Sequence, residues 1–205
     1  IIDPTNPDVV YAAAIGSPWG VHPERGVFKT TDGGKSWKKI LYTNDTSGAA
    51  DLVMDPQNPN KLIAAMWEHK RDPWFFKSGG VGSGMYITHD GGENWKKITD
   101  KEGLPEGELG RIGIAIAPSD PNIIYALVEA KKNALYKSTD GGFKWNMIND
   151  KEGIGNRPFY YSEIYVDSQN ENRIYSVFTY INVSEDGGKN FTQLMPAYGV
   201  DNGVH

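Results

Sequence analysis

Four segments of this chain repeat one eight-residue pattern, and that repeat constrains the fold more than any other feature. They read Thr30-Thr31-Asp32-Gly33-Gly34-Lys35-Ser36-Trp37, Thr88-His89-Asp90-Gly91-Gly92-Glu93-Asn94-Trp95, Ser138-Thr139-Asp140-Gly141-Gly142-Phe143-Lys144-Trp145 and Ser184-Glu185-Asp186-Gly187-Gly188-Lys189-Asn190-Phe191. Their aspartates stand 58, 50 and 46 residues apart. A period near 50 marks a propeller or a solenoid.

A second motif precedes each of these segments: Asp3-Pro4-Thr5-Asn6-Pro7, Asp55-Pro56-Gln57-Asn58-Pro59, Pro118-Ser119-Asp120-Pro121 and Asp167-Ser168-Gln169-Asn170-Glu171. Proline and Asx residues mark a turn, and an apolar run follows each time, as in Val9-Val10-Tyr11 and Ile123-Ile124-Tyr125. Each repeat resolves into four short strands. In the second these are residues 50–54, 61–67, 84–88 and 95–98, with residues 68–83 expected as a long loop. The third gives 111–117, 123–129, 134–138 and 145–148. Four antiparallel strands per repeat is the unit of a β-propeller blade. The expected fold is therefore all-β, a propeller of about four blades at 1–47, 48–109, 110–161 and 162–205. The 24 glycines and 12 prolines in 205 residues suit a chain with many turns.

The composition of the eight-residue pattern follows from the turn it makes. Glycines supply positive φ between two strands. The aspartates Asp32, Asp90, Asp140 and Asp186 accept backbone N–H bonds across the turn, supported by the Ser or Thr two residues earlier. The aromatic that follows, Trp37, Trp95, Trp145 or Phe191, begins the fourth strand and is expected to bury a large face. A calcium reading is weaker, because each turn offers one or two carboxylates, with Glu93 added in the second and Glu185 in the fourth, and Ca²⁺ takes six to eight oxygens.

These residues resemble the Asp-box, or bacterial neuraminidase repeat, of sialidases, xyloglucanases, photosystem II assembly factors and sortilin-type propellers. Residues 19–28 and 107–113 are most similar to large bacterial secreted proteins with sortilin-like propellers, often labelled glycosyl hydrolases. The resemblance implies a secreted, periplasmic or cell-surface bacterial protein. It implies fold more than function. The Phe/Tyr-Arg-Ile-Pro motif of sialidases has no match in this sequence, and the catalytic segments of xyloglucanases have none either. The sequence opens at the end of a first strand and stops before another, so the remaining blades of a longer chain are expected partners.

Strand alternation assigns the loops. First-to-second turns and Asp-box turns share one face; second-to-third and fourth-to-first loops share the other. The second set holds the length variation, at residues 16–25, 68–83, 99–109 and 149–161, and variable loops on a regular scaffold carry function. That face gathers the ligand-binding candidates Trp19, His22, Arg25, His69, Arg71, Trp74, Arg111, Arg157, Tyr160 and Tyr161, with Phe75 and Phe76 beside them. Exposed aromatics beside arginine suit a protein or a glycan partner. The alternative is that Trp19, Trp74 and Phe76 pack the loops onto the propeller.

The expected function is a non-catalytic binding or scaffold propeller for protein or glycan, or an assembly module in a larger complex. The alternative is a glycoside hydrolase, for which Glu68, Asp72, Glu106, Glu108 and Glu163 are the candidate carboxylates. No catalytic residue is assigned. Neither cofactor nor metal is expected: His22, His69, His89 and His205 lack metal-ligand spacing. The glycine run 79–84 lacks the ending of a phosphate loop and reads as flexible chain ahead of a strand. A net charge of −5 argues against nucleic acid, and no apolar run approaches 18 residues, so no membrane insertion is expected. Absent cysteine removes disulfide and thiol chemistry. Two sequons, Asn44-Asp45-Thr46 and Asn182-Val183-Ser184, would be unused in a bacterium.

Overall fold

A computed structural model describes residues 1–151, 154–155 and 162–194. It contains four antiparallel sheets, each built in chain order. Blade 1 holds β1 (Ile2–Asp3), β2 (Asn6–Ala14), β3 (Gly26–Thr30) and β4 (Lys38–Leu41). Blade 2 holds β5 (Ser47–Asp55), β6 (Asn58–Asp72), β7 (Phe75–Ser78), β8 (Gly84–Thr88) and β9 (Lys96–Ile98). Blade 3 holds β10 (Ile112–Ile116), β11 (Ile124–Val128), β12 (Ala134–Ser138) and β13 (Asn146–Asn149). Blade 4 holds β14 (Glu163–Val166), β15 (Ile174–Val177), β16 (Ile181–Ser184) and β17 (Thr192–Gln193). Among the described residues helix is confined to one 3-10 turn, Asp100–Glu102.

The core lies between blades rather than within one. Ile124, Ala126 and Val128 of β11 face blade 2, while Tyr125 and Leu127, on the other side of the same strand, face blade 4. A strand packed on both faces reads as a continuous apolar run, which is why β10 and β11 lack polar alternation. Together the packed sheets form an arc of about four propeller blades.

The Asp-box turns are alike in all four blades. In blade 1 the Thr30 hydroxyl donates to Asp32 Oδ1 at 2.7 Å and accepts the Gly34 N–H at 3.0 Å; Asp32 Oδ1 also accepts the Ser36 N–H at 2.9 Å. Both glycines take positive φ, 69° at Gly33 and 90° at Gly34, where a side chain would be strained. Gly33, Gly91, Gly141 and Gly187 each donate an N–H to the first-to-second turn of their own blade, at Asp8, Asn60, Asn122 and Asn172. Both turn classes therefore share one end of the arc. Side chains stitch the blades there: the Tyr11 hydroxyl donates to Gly91 O at 3.1 Å, Lys61 Nζ to Pro121 O at 2.9 Å and the Tyr125 hydroxyl to Glu171 O at 2.9 Å.

Two expectations are corrected. Trp95, Trp145 and Phe191 each pack on the preceding blade, with Trp145 only 3% exposed. Trp37 has no sheet before it among the described residues and is 45% exposed. The stretch 68–83 is not a plain loop. β6 runs on to Asp72 and turns back through β7, pairing His69 with Ser78 and Asp72 with Phe75.

Candidate functional site

At the end opposite the Asp-box turns, buried polar side chains hold the loops. Arg25 is 1% exposed and spends its guanidinium on four backbone carbonyls: Ile15 at 3.0 Å, Thr46 at 3.2 Å, Gly20 at 2.8 Å, and Ser17. This closes the 16–25 loop on itself and onto blade 2. With both terminal nitrogens of its guanidinium bonded to backbone and the side chain buried, Arg25 supports the loop. His69 is equally interior, 4% exposed, stacked on Trp67 with ring centroids 4.3 Å apart; burial lowers its pKa below the ordinary value. The other face of this hub takes the Arg111 guanidinium, 5.7 Å from the Trp67 ring centroid, and Phe76 meets Trp67 edge-on at 5.9 Å.

Above that support lies an exposed aromatic group. The Arg71 N–H donates to Pro18 O at 2.7 Å, clamping the β6–β7 hairpin to the blade 1 loop. The Arg71 guanidinium lies 5.9 Å from the Trp19 ring centroid. Trp19 is 61% exposed, Trp74 at the hairpin tip 85% and Phe75 56%. An exposed tryptophan beside an arginine, with a second exposed tryptophan at the tip of the same hairpin, is a group of the kind that marks interaction sites, while Phe75, paired with Asp72, is exposed on the other face of the hairpin. β7 pairs with β6 alone among the named strands, so its outer edge has no strand partner. His22 is exposed nearby, its Nδ1 accepting the Glu24 N–H at 3.1 Å. Thus Trp19 and Arg71 are brought together, Trp74 stands at the tip of the same hairpin, and Arg25 and His69 are buried. Arg157, Tyr160, Tyr161 and His205 fall outside the described residues.

A second feature is an axial groove of about 550 Å³ between β5, β10 and β14. Arg111 sits here, 3.7 Å from the Glu163 carboxylate. The Tyr165 hydroxyl donates to Glu163 Oε2; that bond, with burial, pushes the tyrosine up to about 12. Asp51 enters the groove at a register shift in β5. Its carboxylate accepts the N–H groups of Leu52 and Ile114, each at 2.8 Å, yet burial pushes its pKa up. Sequence reasoning missed Asp51; the available signal was one carboxylate inside the apolar run Ala49-Ala50-Asp51-Leu52-Val53-Met54.

The other carboxylates are committed differently. Burial raises the Glu68 carboxyl, but Lys77 Nζ at 2.6 Å and the Gly82 N–H at 3.1 Å outweigh it and hold it below the ordinary value. Asp72 pairs with Lys70 at 3.2 Å. Glu106 and Glu108 are exposed on the loop before blade 3. Among the described residues no three metal-binding side chains converge, and no helix is long and apolar enough to cross a membrane.

A family model described as BNR/Asp-box repeat matches residues 86–97, the hairpin of blade 2 that carries Asp90 and Trp95. No curated protein matches the chain in sequence. Among solved structures, an ancestral GH74 enzyme matches with a TM-score of 0.65 at 20% identity, over 96% of this chain and 23% of that one. The GH74 enzyme of Niastella koreensis gives 0.61 at 18%, over 91% and 28%. YCF48 bound to D1 peptide gives 0.50 at 18%, over 89% and 45%. The chain thus spans about a quarter of the GH74 enzymes and under half of YCF48. At these identities the likeness is one of fold, and the fold is an Asp-box β-propeller.

Proposed function

We propose that this Asp-box propeller is a binding module that takes an extended protein segment on the face opposite its Asp-box turns. The observation that carries this reading is the Trp19–Arg71 pair on a clamped hairpin whose tip exposes Trp74. Tryptophan and arginine dominate binding energy at protein interfaces, and the open edge of β7 offers backbone donors and acceptors to an added strand. The YCF48 structure with its D1 peptide supports the same use of the fold. The location that goes with this reading is secreted, periplasmic or at the bacterial cell surface.

The test is selection of peptides from a display library against the chain, followed by titration. Trp19→Ala and Trp74→Ala remove exposed rings, so the fold should persist by circular dichroism. Each should weaken the selected peptides by tenfold or more. Unchanged affinity in both variants refutes the reading, and a glycan-array hit that Trp74→Ala abolishes assigns the patch to sugar instead.

Carbohydrate hydrolysis is the second reading, and one arrangement favours it. Asp51, whose carboxyl burial raises, lines the axial groove together with Glu163, and two carboxyl groups in one groove are what glycoside hydrolysis requires. If the chain releases reducing ends from xyloglucan and Asp51→Asn abolishes this, hydrolysis is the function.

A further inference from the structure

The hairpin that carries Arg71 and Trp74 is not held by its own blade alone. Ser78, the last residue of β7, is a joint between blades. Its hydroxyl accepts the Trp67 indole N–H at 3.0 Å and donates to Glu129 Oε2 at 2.5 Å. Trp67 lies on β6 of blade 2, whereas Glu129 directly follows β11 of blade 3. The distance to the carboxylate is that of a charge-assisted hydrogen bond, the stronger kind. The same Glu129 oxygen accepts the Arg111 N–H at 2.8 Å. The Glu129 backbone is fixed as well, its N–H donating to Arg111 O at 3.0 Å and its carbonyl accepting the Gly110 N–H at 2.8 Å. The carboxylate is therefore anchored in blade 3 before it reaches the hairpin.

Two glycines make room for that reach. A Cβ on Gly110 would stand 2.1 Å from Glu129 Oε2, so any side chain there would displace the carboxylate. Gly79 takes a φ of 94°, and a Cβ on it would meet the Leu109 carbonyl oxygen at 2.9 Å. The two segments cross where the Gly80 N–H donates to Leu109 O at 3.3 Å. Glu68 does a different job. Its carboxylate accepts from Lys77 Nζ and the Gly82 N–H, both of blade 2, and so closes the base of the hairpin within its own blade.

Resting on the reading of this end as the binding face, we infer that Glu129 is a positioning residue for it. Through the Ser78 hydroxyl it sets where the β6–β7 hairpin presents Trp74. A two-stranded hairpin is at best marginally stable by itself. This one is clamped to the blade 1 loop by the Arg71 N–H on Pro18 O and to blade 3 by Ser78 on Glu129. Fixing both sides orders the hairpin before a partner arrives, so the cost of ordering it is not taken from affinity.

The test is a double-mutant cycle on the intact chain, read by titration with peptides selected on the wild type. Glu129→Ala should weaken them by about tenfold, the scale of one hydrogen bond to a charged group. In a Ser78→Ala background the same change should add little, because the joint is already broken. Glu129→Gln, whose amide oxygen still accepts the Ser78 hydroxyl, should restore most of the affinity. Hydrogen exchange without peptide reads the joint independently of any ligand: Glu129→Ala should quicken exchange at residues 69–78 and leave 124–128 and 134–138 at wild-type rates. Unchanged exchange at the hairpin, unchanged affinity in Glu129→Ala, or losses that multiply in the double variant overturn the inference. If the exchange result holds while Trp19→Ala and Trp74→Ala leave the peptides bound as before, the proposed function fails and the positioning of the hairpin by Glu129 stands.

Discussion

Asp32, Asp90, Asp140 and Asp186 are near the surface, yet each is held below the ordinary value of 3.8 by hydrogen bonds from its own turn; Asp32 and Asp186 lie at about 2. A depressed carboxyl stabilises the fold above its unfolded pKa and loses that contribution as pH falls through its folded one. Asp32→Asn should therefore lower Tm at neutral pH, and the gap to wild type should close between about pH 4 and about pH 2. Thermal unfolding across that range checks it. The aromatic at the end of the motif shows how context divides identical residues. Trp145→Ala should cost about 3–5 kcal/mol in urea unfolding, whereas Trp37→Ala in this chain should stay within about 0.5 kcal/mol. The turn itself was legible in the sequence because its bonds are local. The burial of the tryptophan was not, because it depends on a neighbouring blade.

The same contrast holds for elements. The strands 84–88 and 134–138 agree with the sequence reading, since Gly and Ser/Thr bracket them and a turn motif follows. The β6–β7 hairpin escaped notice. Glu68-His69-Lys70-Arg71-Asp72 has no apolar alternation, and its strand is continued by bonds to residues distant in sequence, His69 N–H to Thr46 O at the start of blade 2 and Arg71 N–H to Pro18 O of the blade 1 loop. The close approach of blade 1 to blade 2 at this level is set by Gly48, where an added Cβ would lie 2.1 Å from the Ile15 carbonyl oxygen. Backbone cannot step aside as a side chain can. Gly48→Ala should cost about 1–3 kcal/mol or more through overpacking, read by the denaturation midpoint. Trp74→Ala, at the solvated tip of the hairpin, should leave that midpoint within the range of neutral surface changes.

At the scale of the molecule, alternation of strands around the arc assigned the two ends correctly, and every hydrogen bond between Asp-box and first-to-second turns agrees. What sequence could not separate was surface from support at the other end. Arg25, His69, Arg71 and Trp74 look alike as polar and aromatic loop residues, but packing buries the first two, half-buries Arg71 beside Trp19 and leaves Trp74 exposed. Asp51 was hidden for the same reason: a bulge that redirects one side chain into the axial groove leaves no trace in composition. The central claim is that the hairpin end is the working face and the Asp-box end is structural. Hydrogen exchange of the chain with and without a selected peptide tests it directly. Exchange should slow at residues 17–22 and 69–78 with the Asp-box segments unchanged. Protection at 30–37, 88–95 and 138–145 instead, with the hairpin unaffected, would contradict it.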